Sequence, residues 1–192
     1  MAPQVKTVHR LKVTLRQVKP PVWRRIEVGS SIKLSELSDV LEAAMGWLGG
    51  HLHAFEADGV LYEIPDGESF GFRRPRDERK ARLGEVLSAV KSKMRWDYDF
   101  GDGWQHDVVV EAIEPIKSDA VYPVCLAGRR ACPPDDCGGP WGYGNLLAAI
   151  SDPSHKEHEE LNEWLPPGFD PNEFDIAGAT EMMRSARPLR NW

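Results

Sequence analysis

Two short strings concentrate the residue types that do chemistry. Tyr98-Asp-Phe-Gly-Asp-Gly-Trp-Gln-His106 sets Asp99, Asp102 and His106 around a glycine-rich turn, with Asp97 and Asp107 just outside it. Cys132-Pro-Pro-Asp-Asp-Cys-Gly-Gly-Pro-Trp-Gly-Tyr143 adds Asp135 and Asp136 between two cysteines. Carboxylates that converge from two segments can hold a hard divalent cation for phosphoryl chemistry. The candidate site is therefore Tyr98, Asp99, Asp102, Trp104, His106, Asp135, Asp136, Trp141 and Tyr143, on the expectation that the two strings meet in space. The competing account is structural. Asp102-Gly103 is turn chemistry, Asp97 and Asp99 would lie on the exposed face of an alternating strand, and no calcium-loop or hydrolase spacing is matched.

Cys125, Cys132 and Cys137 are separated by six and then four residues on a segment rich in proline and glycine. Thiolates gathered by tight turns suit tetrahedral zinc, with His106, His51 or His53 as a fourth ligand, so zinc is a candidate cofactor at Cys125, Cys132, Cys137 and His106. Against it stands the missing paired Cys-x2-Cys knuckle; the alternative is that the cysteines are small buried hydrophobes. His51 and His53 alternate onto one face of a strand and His155 and His158 lie a helical turn apart, so either pair could chelate a metal. The basic run Arg73, Arg74, Arg76, Arg79, Lys80 and Arg82 follows Phe70 and Phe72, the one place where nucleic acid could be contacted. A solvated charged loop is the commoner outcome, and the seven tryptophans read as packing residues.

These groups need elements to hold them. Residues 5 to 17 alternate, with Val5, Leu11, Val13 and Leu15 on one face, and a second extended run, Val22 to Val28, pairs with them around Pro20-Pro21. A helix follows with Ser35 as N-cap, an apolar face of Leu37, Val40, Leu41, Ala44, Met45 and Leu48, and Gly49-Gly50 as its end. His51 to Ala57 and Val60 to Ile64 flank Asp58-Gly59, which suits a two-residue hairpin turn. Residues 65 to 82 read as a loop, Leu83 to Val90 as a helix of two turns, and Met94 to Phe100 with Trp104 to Ile113 as the strongest hairpin. Three helices are expected near Tyr143 to Ile150, His155 to Leu165 and Phe174 to Ala186, the last opened by Asp170, Pro171 and Glu173. The expected fold is α+β, a mixed or antiparallel sheet roll with helices packed on it. Residues 1–192 are read as one domain, with a β-grasp-like hairpin-helix-hairpin half at 1–64 and the central hairpin, cysteine loop and last helices at 83–192.

With 24 basic against 30 acidic side chains, the chain carries a formal net charge of −6 and has no overall attraction to nucleic acid or anionic membranes. No apolar run reaches the roughly 20 residues of a membrane span, and the first residues lack a signal-peptide pattern, so cytoplasmic residence is the expectation.

The two central strings, with Val22-Trp-Arg-Arg, His51-Leu-His-Ala-Phe55, Asp152-Pro153 and His155-Lys-Glu-His-Glu-Glu160, make the chain resemble the Ri-plasmid open-reading-frame-three-like family from about residue 5 to about 176. Some members travel as passengers in insertion sequences and carry the label TnpR, or resolvase. The resemblance implies an α+β roll in a cytoplasmic bacterial or archaeal protein, with no known activity; it also implies that members can carry Val where this chain has Cys137. A serine recombinase needs an activated serine near the N-terminus and a basic DNA-binding module. Here Ser30 and Ser31 lead into a helix and no basic recognition helix appears, so the residues argue against a catalytic resolvase. The first expectation is a non-catalytic accessory protein of plasmids and mobile elements with a protein partner. The alternative is a metal-dependent enzyme with its site between the Asp99–His106 hairpin and the Cys125–Cys137 loop.

Overall fold

The computed structural model describes residues 6–65 and 74–186. Alternation of apolar and polar residues produces the first hairpin as expected: β1 (Thr7–Leu15) and β2 (Trp23–Gly29) run antiparallel with Leu11 opposite Ile26. Leu11, Val13, Leu15, Ile26 and Val28 are all buried on the core face. On the other face Arg10 grips Glu27 and Arg25 grips Glu111, so charge pairs occupy the side the core does not use. Val5 lies outside the described residues.

Helix α1 (Leu34–Met45) follows. Its start is two residues earlier than Ser35 as N-cap would place it, because Lys33 is the N-cap and the Glu36 carboxylate accepts from the Lys33 N–H. Its end comes at Gly46 rather than at Gly49-Gly50. Gly46 adopts φ 114°, and the N–H groups of Gly46 and Trp47 both donate to the Glu42 carbonyl. Leu48 is consequently thrown out of the helical face and exposed. Strands β3 (His53–Ala57) and β4 (Val60–Glu63) close on Asp58-Gly59, both at positive φ.

A short β5 (Arg76–Asp77) pairs in parallel with β4 inside the segment expected to be a loop. Helix α2 (Leu83–Val86) is a single turn, and Val90 is exposed beyond it because the chain turns at Lys91 with φ 72°. The central hairpin is β6 (Lys93–Tyr98) and β7 (Trp104–Pro115), in which Met94, Trp96 and Tyr98 are buried. Phe100 does not continue that stripe: Asp99, at φ 52°, ends the strand and leaves Phe100 exposed. Strand β8 (Val124–Arg129) pairs with β2 at the sheet edge.

Among the described residues eight strands form one sheet in the order β5-β4-β3-β6-β7-β1-β2-β8, antiparallel except for β4 and β5. The fold is thus α+β, a mixed open sheet with helices packed on it. The early hairpins do not pair with each other; the β6–β7 hairpin stands between them, which joins residues 1–64 to the later half in a single sheet. Helices α3 (Gly139–Ser151), α4 (His158–Trp164) and α5 (Ile176–Ser185) complete the fold, α5 lying against α1 and β8. The start of α5 is later than predicted: Asp175 is its N-cap and accepts from the Ala177 N–H, while Asp170 accepts from Asn172 in the preceding turn. None of the helices among the described residues is long and apolar enough to cross a membrane.

Arg24 ties these layers together. Its guanidinium is buried and donates to the carbonyls of Ala44, Met45, Trp23 and Arg129, so it satisfies orphan acceptors at the C-terminal end of α1 and reaches β8. The Phe174 ring covers it at 3.7 Å. That ring also lies where a side chain on Gly128 would be, 2.2 Å from the position of its Cβ, so glycine in β8 is what lets Phe174 approach.

Candidate functional site

The two strings do meet. Asp99 leaves β6 and donates its N–H to the Leu52 carbonyl at 2.9 Å, joining the central hairpin to the segment that carries His51. Its Oδ1 accepts from the N–H groups of Gly101 (2.9 Å) and Asp102 (3.4 Å), which builds the turn, and its Oδ2 faces His51 Nδ1 at 3.6 Å. Gly49 and Gly50, at φ 84° and 104°, provide the backbone path that carries the chain from Trp47 to His51.

The loop of the second string is held from two sides. Trp47 Nε1 donates to the Pro133 carbonyl at 3.0 Å. At the other end, a Cβ on Gly139 would sit 2.2 Å from the Asp102 carbonyl oxygen, so the loop and the hairpin turn touch backbone to backbone. Between these anchors Asp136 adopts φ 58°. One ligand atom each from His51, Asp99 and Asp136 all lie within 4.8 Å of one another, and among the described residues no other such trio of His, Cys, Asp or Glu occurs. Asp99 is buried, His51 half-buried and Asp136 exposed, so the trio opens to solvent on one side.

Asp135 stands beside it. Burial raises its carboxyl pKa, opposed by His51 and reinforced by Asp136, Asp99 and Asp102. Asp102 Oδ2 is buried and finds no hydrogen-bond partner among the described residues. Four carboxylates and one imidazole therefore share a small region.

Other predicted residues fall behind the site or away from it. Tyr98 stacks on Trp47 (4.7 Å between centroids) and meets the His51 ring edge-on at 5.7 Å; burial raises its hydroxyl pKa far above the usual value. Trp104 and His106 belong to the core, Trp104 tilted against Trp47 and His106 edge-on to it. Tyr143 is buried and its pKa is pushed up to about 12, chiefly by that burial. Trp141, in the first turn of α3, is 91% exposed.

Cys125, Cys132, Cys137 and His106 do not gather as ligands. Cys125 lies on β8, Cys132 is half-buried close to Gly46, and burial raises the pKa of all three thiols, that of Cys137 to about 12. The histidine pairs also separate. His53 sits 2.9 Å from both oxygens of the buried Glu78, and His158 donates to the Ala149 carbonyl while His155 accepts from the Glu157 N–H. Of the basic run, Arg79 is held by Asp77 and Arg82 bonds the Ser31 carbonyl; Phe70, Phe72 and Arg73 lie outside the described residues.

His106 makes stability depend on pH. Desolvation lowers its pKa to about 3, the Trp96 carbonyl pulling weakly the other way. A histidine buried neutral contributes stability that is present above its unfolded pKa, near 6.5, and is lost as pH falls below that value toward 3. Urea denaturation at pH 7.5 and pH 5.0 is expected to differ by roughly 2 kcal/mol from this residue. His106→Gln should flatten the profile. A wild-type stability that does not change over this range would contradict the neutral buried ring.

An open mixed α+β sheet with a carboxylate-rich junction between its central hairpin and a Gly-Pro loop defines the class of protein. The chain belongs to the plasmid pRiA4b ORF-3-like protein family, which matches it over residues 7–178. It is similar to the uncharacterized protein y4hQ of Sinorhizobium fredii, at 43% identity over 176 residues that cover 91% of this chain and 87% of that one. A solved structure, the protein of unknown function MM3350 from Methanosarcina mazei Go1, is similar with a TM-score of 0.82 and 34% identity, covering 91% of this chain and 98% of that one.

Proposed function

We propose that the protein is a metal-dependent one, holding a hard divalent cation between His51, Asp99 and Asp136, with Asp135 and Asp102 as outer partners. The observation that carries this reading is the 4.8 Å grouping of the three ligand atoms from three separate segments. Metal–ligand bonds of about 2.1 Å place ligands on one ion roughly 3 to 4.2 Å apart, so the trio needs only a small contraction to close on it. Two carboxylates and one imidazole suit magnesium, manganese or zinc, and three ligands leave positions open for a substrate oxygen. The ion would act as a Lewis acid and activate bound water at a site reached from solvent.

Calorimetric titration of chelator-treated protein with Mn2+ should show near one ion per chain. Asp99→Asn should abolish it, since asparagine keeps an acceptor for the Gly101 and Asp102 N–H groups while removing the charge. Absence of uptake, or uptake indifferent to Asp99→Asn, would sink the reading.

A second reading, an accessory protein that works through a partner, is favoured by the exposure of Leu48, Leu52, Phe100 and Trp141 near the same site. Association with plasmids and insertion elements, and a cytoplasmic place of action, go with that reading through family resemblance. Resolvase chemistry gains no support: Ser30 Oγ is engaged by Thr7 Oγ1 (2.6 Å) and His9 Nδ1 (2.8 Å).

A further inference from the structure

We infer that the face carrying the carboxylates is a docking surface for a basic peptide segment of a partner protein, one in which arginine or lysine alternates with aliphatic residues. Leu48 is 77% exposed, Leu52 73% and Phe100 54%, and these three line one cleft together with Trp47 and His51. Large apolar side chains left in water side by side, rather than scattered, mark a surface that is covered in use. Phe100 is the residue after Asp99. Trp141 projects from the first turn of α3, the turn whose Gly139 abuts the Asp102 backbone. Exposed aromatics therefore stand on the hairpin side and on the loop side of the carboxylates.

The charge of that face selects the occupant. Asp136 is exposed, Asp102 and Asp135 are half-buried, and Asp39, Glu42 and Glu63 line the cleft itself, so the face stays negative even when a dication is bound and this inference extends the preceding reading without depending on ion uptake. Arg79, which also lines the cleft, is held by Asp77. Nucleic acid and anionic membrane are repelled by such a face. A second copy of the chain docked through the same surface would set carboxylates against carboxylates, because a two-fold interface brings a patch onto itself. A basic segment instead pairs its cations with the aspartates, lays guanidinium groups over Trp141 and Phe100, and covers Leu48 and Leu52 with its aliphatic residues.

The test is fluorescence anisotropy with the whole protein and a labelled decapeptide alternating arginine and leucine, against the same peptide with glutamate for arginine. The arginine peptide is expected to bind at least tenfold more tightly, and Trp141→Ala and Asp135→Asn should each weaken it at least fivefold. Trp141 is exposed, so its removal leaves the fold intact, which a thermal melt of each variant checks. Binding of neither peptide, equal binding of both, or indifference to both variants would overturn the inference. So would a dimer seen by sedimentation and abolished by Trp141→Ala, which would assign the surface to self-association. Ion uptake is read separately by calorimetry. Peptide binding without uptake removes the cation reading alone, and uptake without peptide binding removes this one alone.

Discussion

Replacing Arg24 with alanine is expected to destabilise the fold by roughly 3 to 5 kcal/mol, and so to lower the melting temperature by roughly 10 °C. The guanidinium serves four carbonyls, and those of Ala44 and Met45 are buried at the end of α1. Each buried acceptor left without a donor costs about 1–3 kcal/mol, before the loss of packing under Phe174. Burial pulls the Arg24 pKa down, with the Cys132 and Cys125 thiols pushing the other way, so the charge itself is held at a cost. The carbonyl array is what makes it tolerable, since the peptide dipoles at a helix C-terminus favour a cation. Arg24→Lys should recover only part of the loss, because a single ammonium cannot reach α1 and β8 as a planar fork does. A melting temperature unchanged in Arg24→Ala would show that the carbonyls find other donors.

Trp104→Ala is expected to cost about 3 to 5 kcal/mol, the range for removing a fully buried tryptophan. Trp104 opens β7 opposite Tyr98 and tilts against Trp47 at 6.0 Å between centroids. Its loss does more than leave a cavity. Trp47 is the residue whose indole N–H holds the Pro133 carbonyl, so loosening it loosens the loop that brings Asp135 and Asp136 to the hairpin. Denaturant unfolding measures the first effect, and an undiminished midpoint would mean that Trp104 is not a core residue.

Legibility in the sequence followed how local each interaction is. The three hairpins β1–β2, β3–β4 and β6–β7 were visible because alternation and turn residues are local signals. Strand β8 was not: Cys125 is its one fully buried residue, Leu126 is exposed, and its pairing to β2 is decided by tertiary contact. The order of the strands is equally non-local, because the last hairpin to be made enters between the first two. At the candidate site, Asp99, Asp102, Asp135 and Asp136 were picked out by type, and the structure places them together. The spacing of His51 and His53 predicts one strand face for both, yet β3 begins only at His53, and the segment before it places His51 beside Asp99. The thiols follow the same rule. Spacing says how near cysteines are along the chain, whereas their burial, which sets the pKa, depends on α1 and the loop closing over Cys132.

The buried chain of Trp96 Nε1, Ser38 Oγ, Glu42, His53 and Glu78 was also invisible, since it crosses four elements or segments. It fixes the inner face of α1 to β3 and β6 through polar contacts that are costly to bury unless satisfied. Such a network gives the segment leading from α1 to His51 a rigid base, and the candidate site is built on that base.

The most direct test of the cation site is anomalous diffraction from crystals of the protein grown or soaked with Mn2+. The account predicts one manganese peak bounded by the His51 imidazole and the carboxylates of Asp99 and Asp136, absent from crystals of Asp99→Asn. A peak elsewhere on the molecule, or none in crystals whose wild-type protein is fully ordered at these three residues, would contradict it.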